Sequence, residues 1–388
     1  MLFSDVYVSD EIKNKLLFTV KNQRVSHTQL FLGVEGSHVL ALAIAYAQYI
    51  NCHNRTATDS CGICTSCIQY QHLAHPDLHF YFPNATNDTI KTDAKSSDFH
   101  AEWREIVLET NALFDEQDWY EKINIEKKQA IINVRDTEEI IYKASMKPYE
   151  SEYKVFIIWM ADKLRYDSAP RLLKTLEEPD GKTLFLLVSD KQEKMLDTIL
   201  SRSQLTKVNA LSISELEKVL MEKKNYDMET AKKVAFCSEN NLITAFQYNI
   251  EEDSKNENLE IFVQLMRLVY LLSIQSPSLD FSKVTNFIKM MEDFGRERQK
   301  DFLRYGIAFI RKCIIWNYDL DTILKYSLEE KEFITKFQHY INASTGPVFY
   351  RYFNDAIQHI ETNVNAKILF TDLLFQLAER LAFALRKK

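Results

Sequence analysis

The sequence predicts an α/β domain built on a parallel sheet, followed by an all-α domain. Short apolar runs alternate with helical periods between residues 131 and 208, the mark of right-handed crossovers and parallel strands. A strand, a Gly-bounded turn and an Ala-rich helix occupy residues 29–50, in the order that opens a P-loop fold. Beyond Leu211, long helical periods run to Lys388 with few Gly or Pro signals. At 388 residues the chain is too long for one core, so two or three domains are expected.

Each element has its own signal. Residues 10–22 carry apolar side chains at helical spacing, with Ser9 as the cap. Gln29 to Leu32 is a short buried strand ending at Gly33, and Val39 to Ile50 is the helix that follows. Leu78 to Phe82 reads as a strand. From about Pro83 to Ala130 the chain turns polar, with Asp115, Glu116, Asp118 and Glu121, and is expected to be a surface insertion. Ile131 to Val134 is a predicted strand and Arg135 to Met146 a helix. Val155 to Met160 is continuously apolar, as in a strand buried on both faces. A helix (Ser168 to Glu178), a strand (Thr183 to Val188), a helix (Lys191 to Leu200) and a strand (Gln204 to Val208) complete the alternation.

The phosphate loop has lost its working residues. A functional loop reads G-x-x-x-x-G-K-[ST]: amides cradle phosphate, Lys reaches the β/γ oxygens, and Ser/Thr holds Mg²⁺. Gly33 and Gly36 are present, but His38 replaces the second required Gly, Val39 the Lys and Leu40 the Ser/Thr. The acidic pair that should end the strand at Ile158 is also missing. Trp159 and Met160 stand there, and Asp162 arrives late. Ser189 lies where such folds place a polar sensor at a strand end, and without nucleotide no role is assigned to it.

Four of the six cysteines, Cys52, Cys61, Cys64 and Cys67, fall in the pattern C-x8-C-x2-C-x2-C. Paired thiolates at this spacing can close a tetrahedral Zn²⁺ site with no position left for water, which makes the zinc structural. An iron–sulfur cluster is the competing assignment, but Ile68 stands where such runs carry Pro. Cys237 and Cys313 stand alone in helical context and read as small buried hydrophobes.

Leu172-Leu173-Lys174-Thr175-Leu176-Glu177-Glu178-Pro179 precedes Ser201-Arg202-Ser203-Gln204. With the Gly33/Gly36 loop, the four cysteines and His75-Pro76-Asp77, these segments resemble bacterial clamp-loader subunits of the AAA+ class, most closely the delta-prime type of DNA polymerase III. The resemblance covers the first 208 residues; the later helices match only in kind. It implies an AAA+-like P-loop domain over 1–163 with a zinc module at about 52–67; the insertion at about 83–130 is not part of the resemblance, and no purpose is assigned to it. The remainder of that module would occupy 164–208 and a helical collar 209–388.

The resemblance also implies a function. Clamp loaders are hetero-pentamers in which an arginine from one subunit completes the ATP site of the next, and Arg202 matches that arginine. Ser203 stands where the family has Cys, which leaves the guanidinium untouched. The implied partners are tau/gamma and delta subunits, with the sliding clamp and primer–template DNA reached through the complex. No ATP is expected on this chain and no ATPase activity of its own. The alternatives are an ATP-binding tau/gamma-type subunit, against which Val39 and Leu40 argue, and a zinc-containing nucleic-acid-binding adaptor outside replication.

Composition narrows the field further. A formal charge of −7 speaks against a dedicated nucleic-acid binder. The densest basic group, Arg296, Arg298, Lys300, Arg304 and Arg311, is interrupted by Glu297 and Asp301 and reads as a solvated helix face with internal ion pairs. The opening residues lack a basic segment followed by an apolar run, so a cytoplasmic protein is expected. Ala366 to Leu385 is apolar but interrupted by Lys367, Asp372, Glu379 and Arg380, which makes it a core helix and excludes a membrane span.

Overall fold

A computed structural model describes all residues except 127, 166–168, 239, 249–256, 277–279, 319–327, 343, 363 and 387–388. The chain forms two compact units, Met1–Tyr248 and Asn249–Lys388.

In the first unit α1 (Asp10–Lys21) leads into β1 (Thr28–Gly33), α2 (Val39–Ile50) and α3 (Thr65–Gln71). Next come β2 (Leu78–Tyr81), α4 (His100–Glu109), α5 (Glu116–Lys122), α6 (Val134–Ser145) and β3 (Lys154–Trp159). Then follow α7 (Ala169–Glu177), β4 (Thr183–Ser189), α8 (Asp197–Leu200) and β5 (Gln204–Val208). The five strands form one parallel sheet in the order β2-β3-β4-β1-β5. Side chains alternate across it. Phe31, Val155, Ile157, Leu184, Leu186 and Val188 face the core that holds α2. Leu30, Phe156, Ile158, Phe185 and Leu187 face a second core shared with α6 and α7. Both faces are covered, which is why β3 and β4 read as continuous apolar runs.

Three expectations meet a different local structure. Ile131–Val134 is not a strand: Ile131 and Ile132 make only isolated bridges, and Asn133 caps α6 by accepting from the Arg135 and Asp136 amides. The helix expected over 191–200 is broken into a 3-10 turn (Gln192–Lys194) and the four-residue α8, with Met195 and Leu196 extended between them. The segment 83–130 is not a surface excursion. Phe99, Trp103, Phe114 and Trp119 are buried in the main core. Phe82 stacks on Trp103 at 4.2 Å, and Trp103 meets Trp119 edge-on at 5.2 Å. The start of the helix expected from Ser168 lies outside the described residues.

Three further helices, α9 (Ile213–Lys224), α10 (Met228–Cys237) and α11 (Leu242–Gln247), belong to the first unit. The sheet-bearing unit thus runs to Tyr248, beyond the boundary expected near residue 208. Leu216, Leu220, Val234 and Leu242 bury against one another and against Leu113 and Tyr7, which ties them to the rest of the unit.

The second unit contains α12 (Glu257–Ser273), α13 (Phe281–Asp293), α14 (Arg296–Trp316), α15 (Leu328–Phe337), α16 (Gly346–Glu361) and α17 (Ala366–Arg386). Its core includes Phe262, Phe302, Phe309, Phe349, Phe353 and Leu374. Within the basic group, Arg298 pairs with Glu257 at 3.0 Å and Arg304 with Asp301 at 3.7 Å. Cys313 is fully buried, and burial pushes its thiol up. Among the described residues no helix is long and apolar enough to cross a membrane.

Candidate functional site

The loop between β1 and α2 is closed by the chain itself. An added Cβ at Gly33 would meet Ser37 Oγ at 2.2 Å, and one at Gly36 would meet Asn241 Oδ1 at 2.0 Å. Gly36 also holds a φ of +76°, where side chains are strained. Gly36 is therefore required by backbone and packing together, whereas at Gly33 the Ser37 hydroxyl and Val39 would have to shift. The Gly36 carbonyl accepts from the Leu242 amide at 3.1 Å, so the start of α11 sits against the loop.

His38 stands before α2 and is wholly buried. Its Nδ1 accepts from the Tyr7 amide at 3.0 Å, and its Nε2 lies 2.7 Å from the Asn111 carbonyl. An amide can only donate and a carbonyl only accept, so the ring is the neutral Nε2–H tautomer. Burial lowers its pKa to about 4, in agreement with that assignment. The Tyr7 ring stacks on His38 at 4.9 Å and on Phe246 of α11 at 5.5 Å. Val39 and Leu40, at the Lys and Ser/Thr positions, are buried in the core.

The end of β3 is filled in the same manner. Trp159 packs against Trp103 at 5.3 Å and Phe114 at 5.2 Å, both from the segment 83–130. Met160 takes a left-handed φ of +54°, and Asp162 follows in a 3-10 turn. Ser189 donates to Asp162 Oδ1 at 2.6 Å, which ties the ends of β3 and β4 together. Glu116 of α5 pairs with Lys163 at 2.6 Å and Lys191 at 3.3 Å. Sequence reasoning missed Asn111, Glu116, Tyr7 and Asn241. The only local hint was the run of Trp103, Phe114 and Trp119 inside a segment read as polar.

The four cysteines come together: their Sγ atoms all lie within 4.8 Å of one another. Cys52–Cys61 at 3.6 Å and Cys61–Cys67 at 3.9 Å suit the edge of a tetrahedron, about 3.8 Å for Zn–S bonds of about 2.3 Å. The Cys61 amide points at Cys52 Sγ at 3.2 Å, and Cys67's at Cys64 Sγ at 3.5 Å, where an N–H stabilises the charge of a thiolate. Backbone N–H groups of Ile63 and Cys64 pull the Cys61 thiol down to about 6, while burial pushes the Cys52 and Cys67 thiols up. This donor set fits a four-coordinate metal with no open position. His75-Pro76-Asp77 ties the start of β2 to the loop before β3. Asp77 accepts from the amides of Tyr149, Glu150 and Ser151 and from the Ser151 hydroxyl, and these bonds hold its carboxyl below the usual range despite burial.

Arg202 lies between α8 and β5, away from these closed features and partly exposed. Its Nε donates to Glu177 and its Nη1 to the Thr198 carbonyl at 3.0 Å.

Fold and site define a P-loop (AAA+-like) α/β module whose phosphate loop is closed by its own side chains. Residues 8–212 match the family described as DNA polymerase III, delta subunit, and the chain belongs to that clamp-loader family. It is 27% identical over 209 residues to the DNA polymerase III subunit delta' of Bacillus subtilis, covering 54% of this chain and 50% of that protein. It is 28% identical over 219 residues to the subunit tau/gamma of Haemophilus influenzae, covering 56% and 25%. The chain thus spans half the length of the first relative and a quarter of the second. Among solved structures, a gamma-subunit-related protein of Thermotoga maritima aligns over 94% of this chain and 99% of its own, with TM-score 0.38 and 14% identity.

Proposed function

We propose that this chain is the delta-prime type of clamp-loader subunit. It does not turn over ATP; it offers Arg202 to the ATP site of a neighbouring subunit and so supports loading of the sliding clamp onto primed DNA. The observation that carries this reading is the closed loop. Asn241 crowds Gly36, the His38 ring is bonded to Tyr7 and Asn111, and Glu116 takes up Lys163 and Lys191. No Lys or Ser/Thr stands where phosphate and Mg²⁺ need them. The identities to delta' and tau/gamma are nearly equal, so the distinction rests on these residues.

Cys52, Cys61, Cys64 and Cys67 would hold a structural zinc. The second unit would serve as the collar within a cytoplasmic hetero-pentamer with tau/gamma and delta subunits. Arg202 keeps its guanidinium at the surface, the requirement for reaching a phosphate on another subunit. Such a finger is worth about 10³ to 10⁵ in rate where it completes a phosphoryl-transfer site.

Two measurements test the reading. The isolated chain should not retain labelled ATP in equilibrium dialysis, and retention at micromolar ATP would return it to the tau/gamma type. The DNA-stimulated ATPase of a reconstituted clamp loader should fall several-fold with Arg202→Ala while assembly by size-exclusion chromatography is intact. An unchanged rate in an intact complex would remove the arginine-finger role.

A further inference from the structure

We infer that Glu177 is the positioning residue for Arg202; this rests on the arginine-finger reading above. Arg202 is held at two points. Glu177 accepts from Nε, and the Thr198 carbonyl accepts from Nη1 at 3.0 Å, with the neighbouring Ser201 hydroxyl a longer acceptor for Nη1 at 3.4 Å. Two anchors on a planar guanidinium fix its plane as well as its place. Nη2 makes no hydrogen bond among the described residues, so one edge of the group stays available.

Both anchors are set on rigid elements. Glu177 ends α7, whose Leu172 and Leu176 are fully buried under the sheet. The Leu176 carbonyl accepts from the Thr28 hydroxyl of β1 at 2.7 Å, a buried bond that pins the last turn of α7 to a central strand. On the other side the Arg202 amide donates to the Ile199 carbonyl at 3.2 Å, and the Ser203 hydroxyl donates to the same carbonyl at 2.8 Å. Ile199 is itself in the core, and Gln204 begins β5 in register with Gln29 of β1. Arginine and carboxylate are thus both tied to one strand, β1, and to the core on one face of the sheet. A surface pair of this kind adds little to stability. Its effect is to remove, in advance, rotamer freedom that the arginine would otherwise lose on meeting a phosphate.

The test uses the reconstituted clamp loader with four forms of this chain: unchanged, Arg202→Ala, Glu177→Ala, and both together. DNA-stimulated hydrolysis is measured over a range of ATP concentrations, and assembly is checked by size-exclusion chromatography. Glu177→Ala is expected to lower kcat roughly threefold to tenfold with KM for ATP unchanged, less than Arg202→Ala. The double variant should be no slower than Arg202→Ala alone. Glu177→Gln should recover most of the rate, since an amide oxygen still accepts from Nε. A normal or raised kcat in Glu177→Ala beside a slow Arg202→Ala would overturn the positioning role and leave the finger standing. So would a double variant slowed by the product of the two effects, because Glu177 would then act independently. A normal rate in Arg202→Ala would overturn the finger itself, and this inference with it.

Discussion

The loop after β1 and the turn before β5 sit at the ends of neighbouring strands, yet they are built in opposite ways. The loop faces inward: His38 is wholly buried, its ring nitrogens are both bonded to the chain, and Asn241 fills the space beside Gly36. The turn faces outward, with Arg202 and Glu177 both substantially exposed. Residues that would serve the chain's own chemistry have become packing residues, whereas the residue that could serve another chain has stayed polar and accessible. Stability should therefore depend on the first region and function in the complex on the second.

Four experiments would break or sharpen that contrast. Restoring the motif with Val39→Lys and Leu40→Thr should not restore ATP binding in dialysis. It should instead cost about 3–5 kcal/mol in urea unfolding, because it buries a cation and a hydroxyl without partners. Next in size is acid. His38 has a folded pKa of about 4 against 6.5 unfolded, so the unfolded chain takes the proton first as pH falls. Its contribution is complete above pH 6.5 and is lost progressively toward pH 4, about 3 kcal/mol in all. Comparing unfolding of His38→Gln and the unchanged chain at pH 7 and 5 isolates this part, since His75, His79 and His100, lowered by burial too, are common to both.

A smaller loss is expected from Gly36→Ala, about 1–3 kcal/mol from its left-handed backbone and the Asn241 clash. Adding Asn241→Ala should cost less than the sum of the single changes, and strict additivity would show that the two do not touch. Arg202→Ala should shift the isolated chain by less than about 1 kcal/mol, as exposed pairs do. A larger shift would mean that this turn, too, is structural.

Periodicity made much of the framework legible. The α2 helix and strand β5 fall on the residues expected, and β1, β3 and β4 within a residue or so, because buried parallel strands leave continuous apolar runs. Ile131–Val134 misled because a short apolar run followed by Asn133 is also how a buried helix cap reads. Residues 191–200 favour helix locally, but tertiary contacts of Met195 and Ile199 break it. The cysteines were readable because metal ligation depends on spacing. The closure of the loop was not, for it joins Tyr7, Gly36, His38, Asn111 and Asn241 across more than 230 residues. The aromatic run of Trp103, Phe114 and Trp119 is the one local sign of such a meeting.

The chain has four tryptophans, and three of them, Trp103, Trp119 and Trp159, lie in one cluster with Trp103 about 5 Å from each of the others. Indoles this close exchange excitation and couple their transitions, so the ultraviolet emission and near-ultraviolet dichroism of the first unit are set largely at the end of β3. That is also where Trp159 replaces an acidic residue and the segment 83–130 closes over the sheet. Any molecule that pried this corner open would announce itself optically, without a label.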